Sequence, residues 1–557
     1  MRRLVRPLHC LVVLAVFAVP RADATQGHGG AAADRRAPPL FDDLGTYHRA
    51  VTTASPSVQA YFDQGLRLLF AFNLEEAQRS FAEAVARDPD CAMCYWGLGM
   101  SLSPHYNLPG LAERTSAGAR AVAAGLAVAA GKPAVESDLL RALTKRLSDP
   151  APESMDGFYA LDAAYAGAMR ELAVKYPDDL DIQAYHAEAL MNLRPWQLWN
   201  ADGTPAPGTL EIVERLEAVL AKDANHPGAN HMLIHALEAS PTPERAIAAA
   251  ERVGKTTPGA AHMVHMPSHI WAQVGRWADA AAANREAIEV DRNYLGSSPE
   301  AAAGFYGMYA AHNYQFLWWS ACQTGRYAEA IENARAAAGL MSFDTLRAFP
   351  GMDFFLGYPI WTQIRFGRWA EALLESEPPT EFVYAHAVWR AARGVALARL
   401  GRLEDSQAEL RAIDAARVTL PKELVIAFTP VDELVGLARD WVAGEIALAA
   451  GDAEGAAAHL GAAFDAEGRL TYNEPPDWYI SVAPTFGEAL LAAGDVARAA
   501  TAFRTDLERY PENGWSLAGL ARTLERQGQA GEAAALRERL RAVWGDADSA
   551  PPFAGAP

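Results

Sequence analysis

The stretch Phe486–Asp495, FGEALLAAGD, decides the fold of this 557-residue chain. Small and large residues recur along it with a helical period, and Gly494 marks the end of a first helix. Phe503 lies on a second helix, which Pro511 closes because proline cannot continue a helix. Gly528 follows Gly494 after 34 residues. The sequence therefore predicts a pair of helices that repeats along the chain.

Further copies of this pattern occur towards the amino terminus and in the centre of the chain. Gly65 on a first helix is followed by Phe81 on a second helix, and Pro89 ends the copy. A glycine also marks five turns between paired helices, at Gly275, Gly325, Gly367, Gly401 and Gly451. This is the pattern of the tetratricopeptide repeat (TPR). We therefore predict an all-α fold, a right-handed TPR superhelix (α-solenoid) of about nine or ten helix pairs with an irregular helical insertion.

The amino terminus has the three parts of a secretory signal. Arg2 and Arg3 are followed by the short apolar run Cys10–Val19, and Ala22-Asp23-Ala24 has the small residues of a cleavage site. We expect cleavage after Ala24 and a periplasmic or secreted mature protein. The predicted segments are a signal peptide (1–24), a flexible segment (25–55), amino-terminal TPR units (56–107), the irregular helical insertion (108–178), central histidine-rich TPR units (179–375), carboxy-terminal TPR units (376–545) and a disordered tail (546–557).

The charge of the chain limits its partners. The formal net charge is −19 at pH 7, which argues against nucleic acid and favours cations, basic peptides or neutral small molecules. Apart from the short apolar run of the signal, no segment has the length of a membrane span.

Histidines are concentrated at equivalent places of the central repeats. His231 and His265 are 34 residues apart, as are His235 and His269. Because the first helices of TPR pairs line a concave groove, such residues should share one face. Imidazoles four residues apart on a helix can bind one metal ion, and nitrogen ligands favour zinc or copper, while a nearby carboxylate also admits iron. The predicted metal ligands are His231, His235, His262, His265, His269 and His312.

The same register places further side chains in the groove. They are Glu238, Gln315, Trp319, Cys322 and Trp361. A small molecule or a peptide would occupy this groove, and a metal with an open ligand position could activate water or dioxygen there. The alternative function is a TPR scaffold that binds a peptide or protein partner without metal, with the histidines as groove lining. Whether the protein is an enzyme stays open at this point.

Pro267 falls within the segment that carries His262 to His269. A proline in the middle of a helix costs about 3 kcal/mol and kinks it, which would aim His265 against His269. Alternatively, the helix begins at Pro267, and His262 and His265 lie in a loop. His226 precedes Pro227 in a helix-start sequence and is predicted to be structural.

Cys91 and Cys94 have the spacing of thiolate ligands or of a redox pair. Tyr95 follows Cys94 where covalent c-type haem attachment needs a histidine, so haem is not supported. A disulfide is conceivable in an oxidising compartment. We therefore predict a disulfide or a pair of packed thiols.

Three blocks resemble a group of exported bacterial TPR proteins. They are Asp90–Gly97 (DCAMCYWG), His262–His269 (HMVHMPSH) and Pro511–Ser516 (PENGWS). The resemblance implies a TPR fold and an exported protein, and it implies no particular activity.

Overall fold

The computed structural model describes residues 37–299, 301 and 304–550. The predicted signal peptide lies outside these residues, as do parts of the predicted flexible segment and tail. Within them the chain forms two compact units. The amino-terminal unit comprises residues 37–274 and 282–313, and the carboxy-terminal unit comprises residues 275–281 and 314–550.

Helices form nearly all the regular structure of the amino-terminal unit. They are α1 (Pro56–Phe70), α2 (Leu74–Arg87), α3 (Ala92–Ser101), α4 (Ala112–Ala127), α5 (Ala134–Leu143), α6 (Met155–Lys175), α7 (Leu180–Met191), α8 (Thr209–Lys222), α9 (Pro227–Leu237), α10 (Ile247–Thr256), α11 (Ala261–His265) and α12 (Pro267–Gln273), with a 3₁₀ turn at Pro243–Ala246. Two further helices, α13 (Trp277–Ser297) and α14 (Tyr306–Gln323), have residues in both units.

The carboxy-terminal unit is also helical. Its helices are α15 (Tyr327–Leu340), α16 (Phe343–Ala348), α17 (Tyr358–Arg365), α18 (Trp369–Ala372), α19 (Val383–Arg399), α20 (Leu403–Arg417), α21 (Val431–Ala449), α22 (Ala453–Glu467), α23 (Ala483–Ala492), α24 (Val496–Arg509), α25 (Gly514–Arg526) and α26 (Ala530–Val543), with a 3₁₀ segment at Met352–Gly357. Among the described residues the strands are limited to the short antiparallel pair β1 (Val425–Ile426) and β2 (Thr429–Pro430).

The helix pairs pack a large ring between small residues. In the amino-terminal unit the Phe81 ring lies between Gly65 and Gly97, where an added Cβ atom would come within 2.8 and 2.2 Å of the ring. In the carboxy-terminal unit Phe503 is enclosed by two glycines in the same way. Because a larger residue at either glycine would displace the ring, this packing fixes how closely neighbouring helices approach. The prediction of an all-α, TPR-type repeat fold is confirmed.

The turns between paired helices explain the repeated glycines. The glycines at positions 275, 325, 367, 401 and 451 have φ angles between 68° and 80°, a left-handed conformation that glycine adopts at little cost. The prediction for these turns is therefore correct. The first pair of the chain differs, because Phe72 occupies its turn with φ 57°.

The predicted cysteine pair is joined in the structure. Cys91 and Cys94 form a disulfide at the start of α3, and both residues are buried. The Cys91 sulfur also accepts the backbone N–H of Cys94 at 3.2 Å and caps the helix. The described residues include no helix that is both long and apolar enough to cross a membrane.

Candidate metal centre

The six predicted ligands all lie in the amino-terminal unit. Helix α9 begins with Pro227, and the His226 side chain caps it by accepting the N–H of Ala229 at 3.1 Å, so His226 is structural as predicted. The remaining histidines follow on four helices. They are His231 and His235 on α9, His262 and His265 on α11, His269 on α12 and His312 on α14.

Pro267 divides the segment that carries three of these histidines. Helix α11 ends at His265 and α12 begins at Pro267, while Met266 between them keeps helical angles of φ −51° and ψ −34°. The structure therefore combines the two alternatives, because a helix begins at the proline and the residues before it are helical rather than a loop. The consequence is that the Nε2 atoms of His265 and His269 lie 2.9 Å apart.

The six histidines form two groups of three. The first triad is His231, His235 and His262, and the second triad is His265, His269 and His312. Within each triad one ring nitrogen from every histidine lies within 4.8 Å of the others. In the first triad the Nε2 atoms of His231 and His262 are 3.1 Å apart. Two nitrogens bound to one tetrahedral zinc ion are about 3.3 Å apart, so both triads have the dimensions of a metal site.

Backbone and amide oxygens orient one ring in each triad. In the first, Nδ1 of His231 lies 2.7 Å from the carbonyl oxygen of Phe70. In the second, Nδ1 of His265 lies 2.7 Å from Oδ1 of Asn284, a residue of α13. Because these oxygens can only accept a hydrogen bond, Nδ1 must donate, which leaves the lone pair on Nε2. Metal-binding histidines are commonly held in this way.

Glu238 lies beside one histidine of each triad. Its carboxylate oxygens lie 3.1 Å from Nδ1 of His235 and 2.8 Å from Nδ1 of His269. Glu238 is buried, and its two histidine neighbours outweigh the opposing effect of burial and lower the pKa of the carboxyl to about 2. An ionised carboxylate therefore connects the two triads through the nitrogens that face away from their centres.

The Nε2 atoms inside the triads differ in their hydrogen bonds. His235 Nε2 is buried without a hydrogen-bond partner in the described part of the chain. The Nε2 atoms of His265 and His269 lie 2.9 Å apart in a hydrogen bond whose donor depends on the tautomer of each ring. A buried polar atom without a partner costs about 1–3 kcal/mol. A cation between the nitrogens would remove this cost.

Burial keeps the imidazoles in the form that binds metal. Five of the six histidines are 0–5 % exposed, and His312 is half-buried. Burial, reinforced by neighbouring histidines, lowers the pKa of His231, His262 and His265 well below the ordinary value. Since a neutral imidazole is the ligand, these rings are ready to bind metal at neutral pH without losing a proton.

Aromatic side chains cover the first triad, and sequence reasoning missed them. They are Phe72, Tyr106, Trp196 and Tyr309, with ring centres 4.5–5.5 Å from a histidine ring of the triad. Phe72 and Trp196 have φ angles of 57° and 61°. Left-handed backbone of this kind costs about 1–3 kcal/mol in a non-glycine residue and recurs at functional sites. A signal was present in the sequence, because Phe72 stands where other helix pairs have glycine.

The predicted groove residues divide between the two units. Glu238 belongs to the metal centre, and four residues belong to the core of the carboxy-terminal unit: Gln315, Trp319, Cys322 and Trp361. Trp361 packs against Trp441 and Trp478 with ring centres 5.6 and 4.7 Å away. Burial raises the pKa of the Cys322 thiol to about 12, so it is no thiolate ligand at neutral pH. All four side chains are buried, and their role in a groove stays a prediction.

Comparison with known proteins gives distant similarity only. No protein-family model matches the chain, and no curated protein matches it. Among solved structures, it is similar to a human IFIT1 dimer with PPP-AAAA, at 12% identity and a TM-score of 0.34, covering 88% of this chain and 92% of that one. It is also similar to yeast Tom70 (12%, TM-score 0.28, 88% and 90% covered) and to the APC/C hetero-tetramer Cut9–Hcn1 (11%, 0.27, 88% and 94%). Functional inference therefore rests on the geometry of the site.

Proposed function

We propose that this protein binds transition-metal ions in the two histidine triads, with up to two ions per chain. The observation that carries the proposal is the orientation of the rings. In each triad the Nδ1 atom of one ring, His231 or His265, donates to an oxygen outside the site, and its Nε2 atom meets the Nε2 atom of a second histidine in a buried space. In a histidine core without metal, every buried ring nitrogen needs a hydrogen-bond partner. His235 Nε2 has none in the described residues.

The ligand set narrows the choice of metal. Three imidazoles per triad favour zinc or copper. A nearby carboxylate also admits iron, and Glu238 offers one beside the second triad, 2.8 Å from Nδ1 of His269. Three protein ligands also leave a fourth position of a tetrahedral ion open, as in catalytic sites. We further propose that a small molecule reacts at this open position of the metal.

The residues around the triads would each have a defined task in such a site. Glu238 holds two rings in the tautomer that presents Nε2 to the metal. The aromatic rings of Phe72 and Trp196 keep water away from the first triad and limit the size of a molecule that approaches it. We further propose, from the amino-terminal sequence, that the mature chain works in the periplasm or is secreted.

Elemental analysis of the full-length mature protein, prepared without added metal and after reconstitution, tests the proposal. We expect about two zinc or copper ions per chain, because each triad offers one complete set of three nitrogens. His235→Gln should lose the ion of the first triad and His265→Gln that of the second, while circular dichroism shows unchanged helix content.

His226→Asn is the matched control. It also removes a buried histidine of the same unit, but asparagine still caps α9, so metal content should stay unchanged. Absence of stoichiometric metal from the wild-type protein, even after reconstitution, would overturn the proposal. It would leave the peptide- or protein-binding scaffold as the function to test.

A further inference from the structure

A second candidate site lies in the carboxy-terminal unit and has no histidine. It is a cavity of about 230 Å³ between residues of α17, α18, α19, α21, α23 and α25. Trp369, Arg399 and Glu488 at its rim are half-buried, whereas Arg365, Trp441 and Trp515 deeper inside are buried. The cavity therefore has a partly exposed entrance and a buried floor that combines a cation with indole rings.

Arg365 is the unusual residue of this floor. It is 5 % exposed, and its Nη2 donates to two neutral amide oxygens, of Gln323 at 3.2 Å and of Asn513 at 3.1 Å. Its Nε is buried without a hydrogen-bond partner in the described part of the chain. The guanidinium lies over the Trp515 ring, 4.6 Å from the ring centre. Among the described residues no carboxylate forms an ion pair with it.

The other arginine of the cavity shows the contrast. Arg399 is paired with two carboxylates, since its Nη2 lies 3.0 Å from Glu445 and 2.9 Å from Glu488. These two acidic residues of the cavity are therefore already engaged. Arg365 has no ion pair of this kind among the described residues, although a buried charge is ordinarily paired.

The charge of Arg365 persists at neutral pH. Burial lowers the pKa of its guanidinium to about 10, and the more distant Cys322, Asp506 and Glu467 offset this effect only in part. Asp506 itself accepts hydrogen bonds from Ser481, Ser516 and Asn513, so its oxygens are occupied. The floor of the cavity therefore favours an anion that comes from outside the chain.

We propose that this cavity binds a small organic monocarboxylate with a flat apolar body. The carboxylate accepts from Arg365, whose planar guanidinium matches carboxylate geometry, and the body lies against the indoles of Trp441 and Trp515. A cavity of about 150 Å³ is enough for benzene, so this one has room for a ring and its carboxylate. The site is independent of the histidine triads, which lie in the other unit.

Benzoate and benzamide are a suitable pair of probes, because they have the same shape and differ in charge. Binding to the full-length protein can be followed by tryptophan fluorescence and by calorimetry. We expect benzoate to bind saturably and benzamide at least tenfold more weakly. Arg365→Gln should weaken benzoate at least tenfold and abolish the preference for it, because the cation is removed.

Arg402→Gln is the control, since Arg402 is an exposed arginine of the same unit paired with Asp405. It should bind benzoate like the wild type. Trp369→Ala at the rim gives a second test if Arg365→Gln fails to fold, and it should weaken benzoate while the preference over benzamide persists. Equal binding of the two probes by the wild type, no binding of either, or full benzoate affinity in Arg365→Gln would each overturn the proposal. None of these results bears on the metal sites.

Discussion

The carboxy-terminal repeats and the histidine helices use the same helix pair but fill it differently. In α23–α25, Phe503 packs between Gly487 and Gly519, and the contact is apolar throughout. In α9, α11 and α12, the buried first-helix positions carry imidazoles whose nitrogens face one another. The first arrangement is explained by packing alone. The second leaves His235 Nε2 buried without a partner in the described residues, which is why the metal proposal rests on this region.

The largest effect should come from breaking the apolar arrangement. Phe503→Ala removes a buried ring between two glycines that cannot fill the space, so we expect a loss of about 3–5 kcal/mol in the free energy of unfolding. Urea denaturation measures it. Phe503→Leu, which keeps most of the volume, should lose clearly less. Equal losses in the two variants would contradict the packing explanation, and neither should change metal content if it folds.

The histidine region should instead respond to pH. Burial lowers the pKa of His231 and His262, so in metal-free protein these rings stay neutral when folded but take up protons when unfolded. Stability is therefore lost as pH falls below about 6.5, by about 1.4 kcal/mol per ring between pH 7.5 and 5.5. The double variant His231→Gln/His262→Gln should be less sensitive to pH than the wild type by about 3 kcal/mol over that range.

The comparison with the variant is necessary because another group acts in the opposite direction. Burial raises the pKa of Glu467 to about 7 in the folded chain. As pH falls, this carboxyl is protonated at a higher pH in the folded chain than in the unfolded chain, and it therefore adds to the stability of the fold. Glu467 is present in both proteins, so its contribution cancels. Chemical denaturation in the presence of a chelator, at both pH values, measures the difference. Identical pH dependence in the two proteins would mean that the imidazoles are accessible to protons when folded.

The same comparison shows what could be predicted from sequence. The repeat of small and large residues predicted the fold, because helix packing depends on residue size at fixed spacing, as at Gly65 and Phe81. The spacing of His231 and His265 predicted that the ligands lie on equivalent helices of neighbouring repeats. It could not predict that the histidines form two triads, because that depends on where α11 ends and α12 begins. Nor could it identify Asn284, a buried polar residue of a second helix whose role depends on one contact with His265.

A smaller effect should follow from loosening the support of the triads. Glu238→Gln keeps the size of the side chain but places an amide where the carboxylate faces His235 and His269. Loss of such an outer partner lowers metal affinity about 10–100-fold. Competition with a chromophoric chelator measures the affinity. Glu217→Gln, which alters an exposed ion pair with Arg245, should leave it unchanged. An unchanged affinity in Glu238→Gln would remove this residue from the site.

The smallest effect concerns the turns. Gly494 has φ 81° and nothing within 4 Å of an added Cβ, so Gly494→Ala tests backbone conformation alone. A left-handed alanine should cost about 1–2 kcal/mol in the free energy of unfolding, and Gly494→Asn should cost less because asparagine tolerates this conformation. Phe72 adopts the same conformation without being glycine or asparagine, and we expect its contact with the His231 ring, 4.5 Å away, to compensate the strain. If Gly494→Ala proves neutral in thermal denaturation, the strain at Phe72 is small, and its position over the first triad needs no functional explanation.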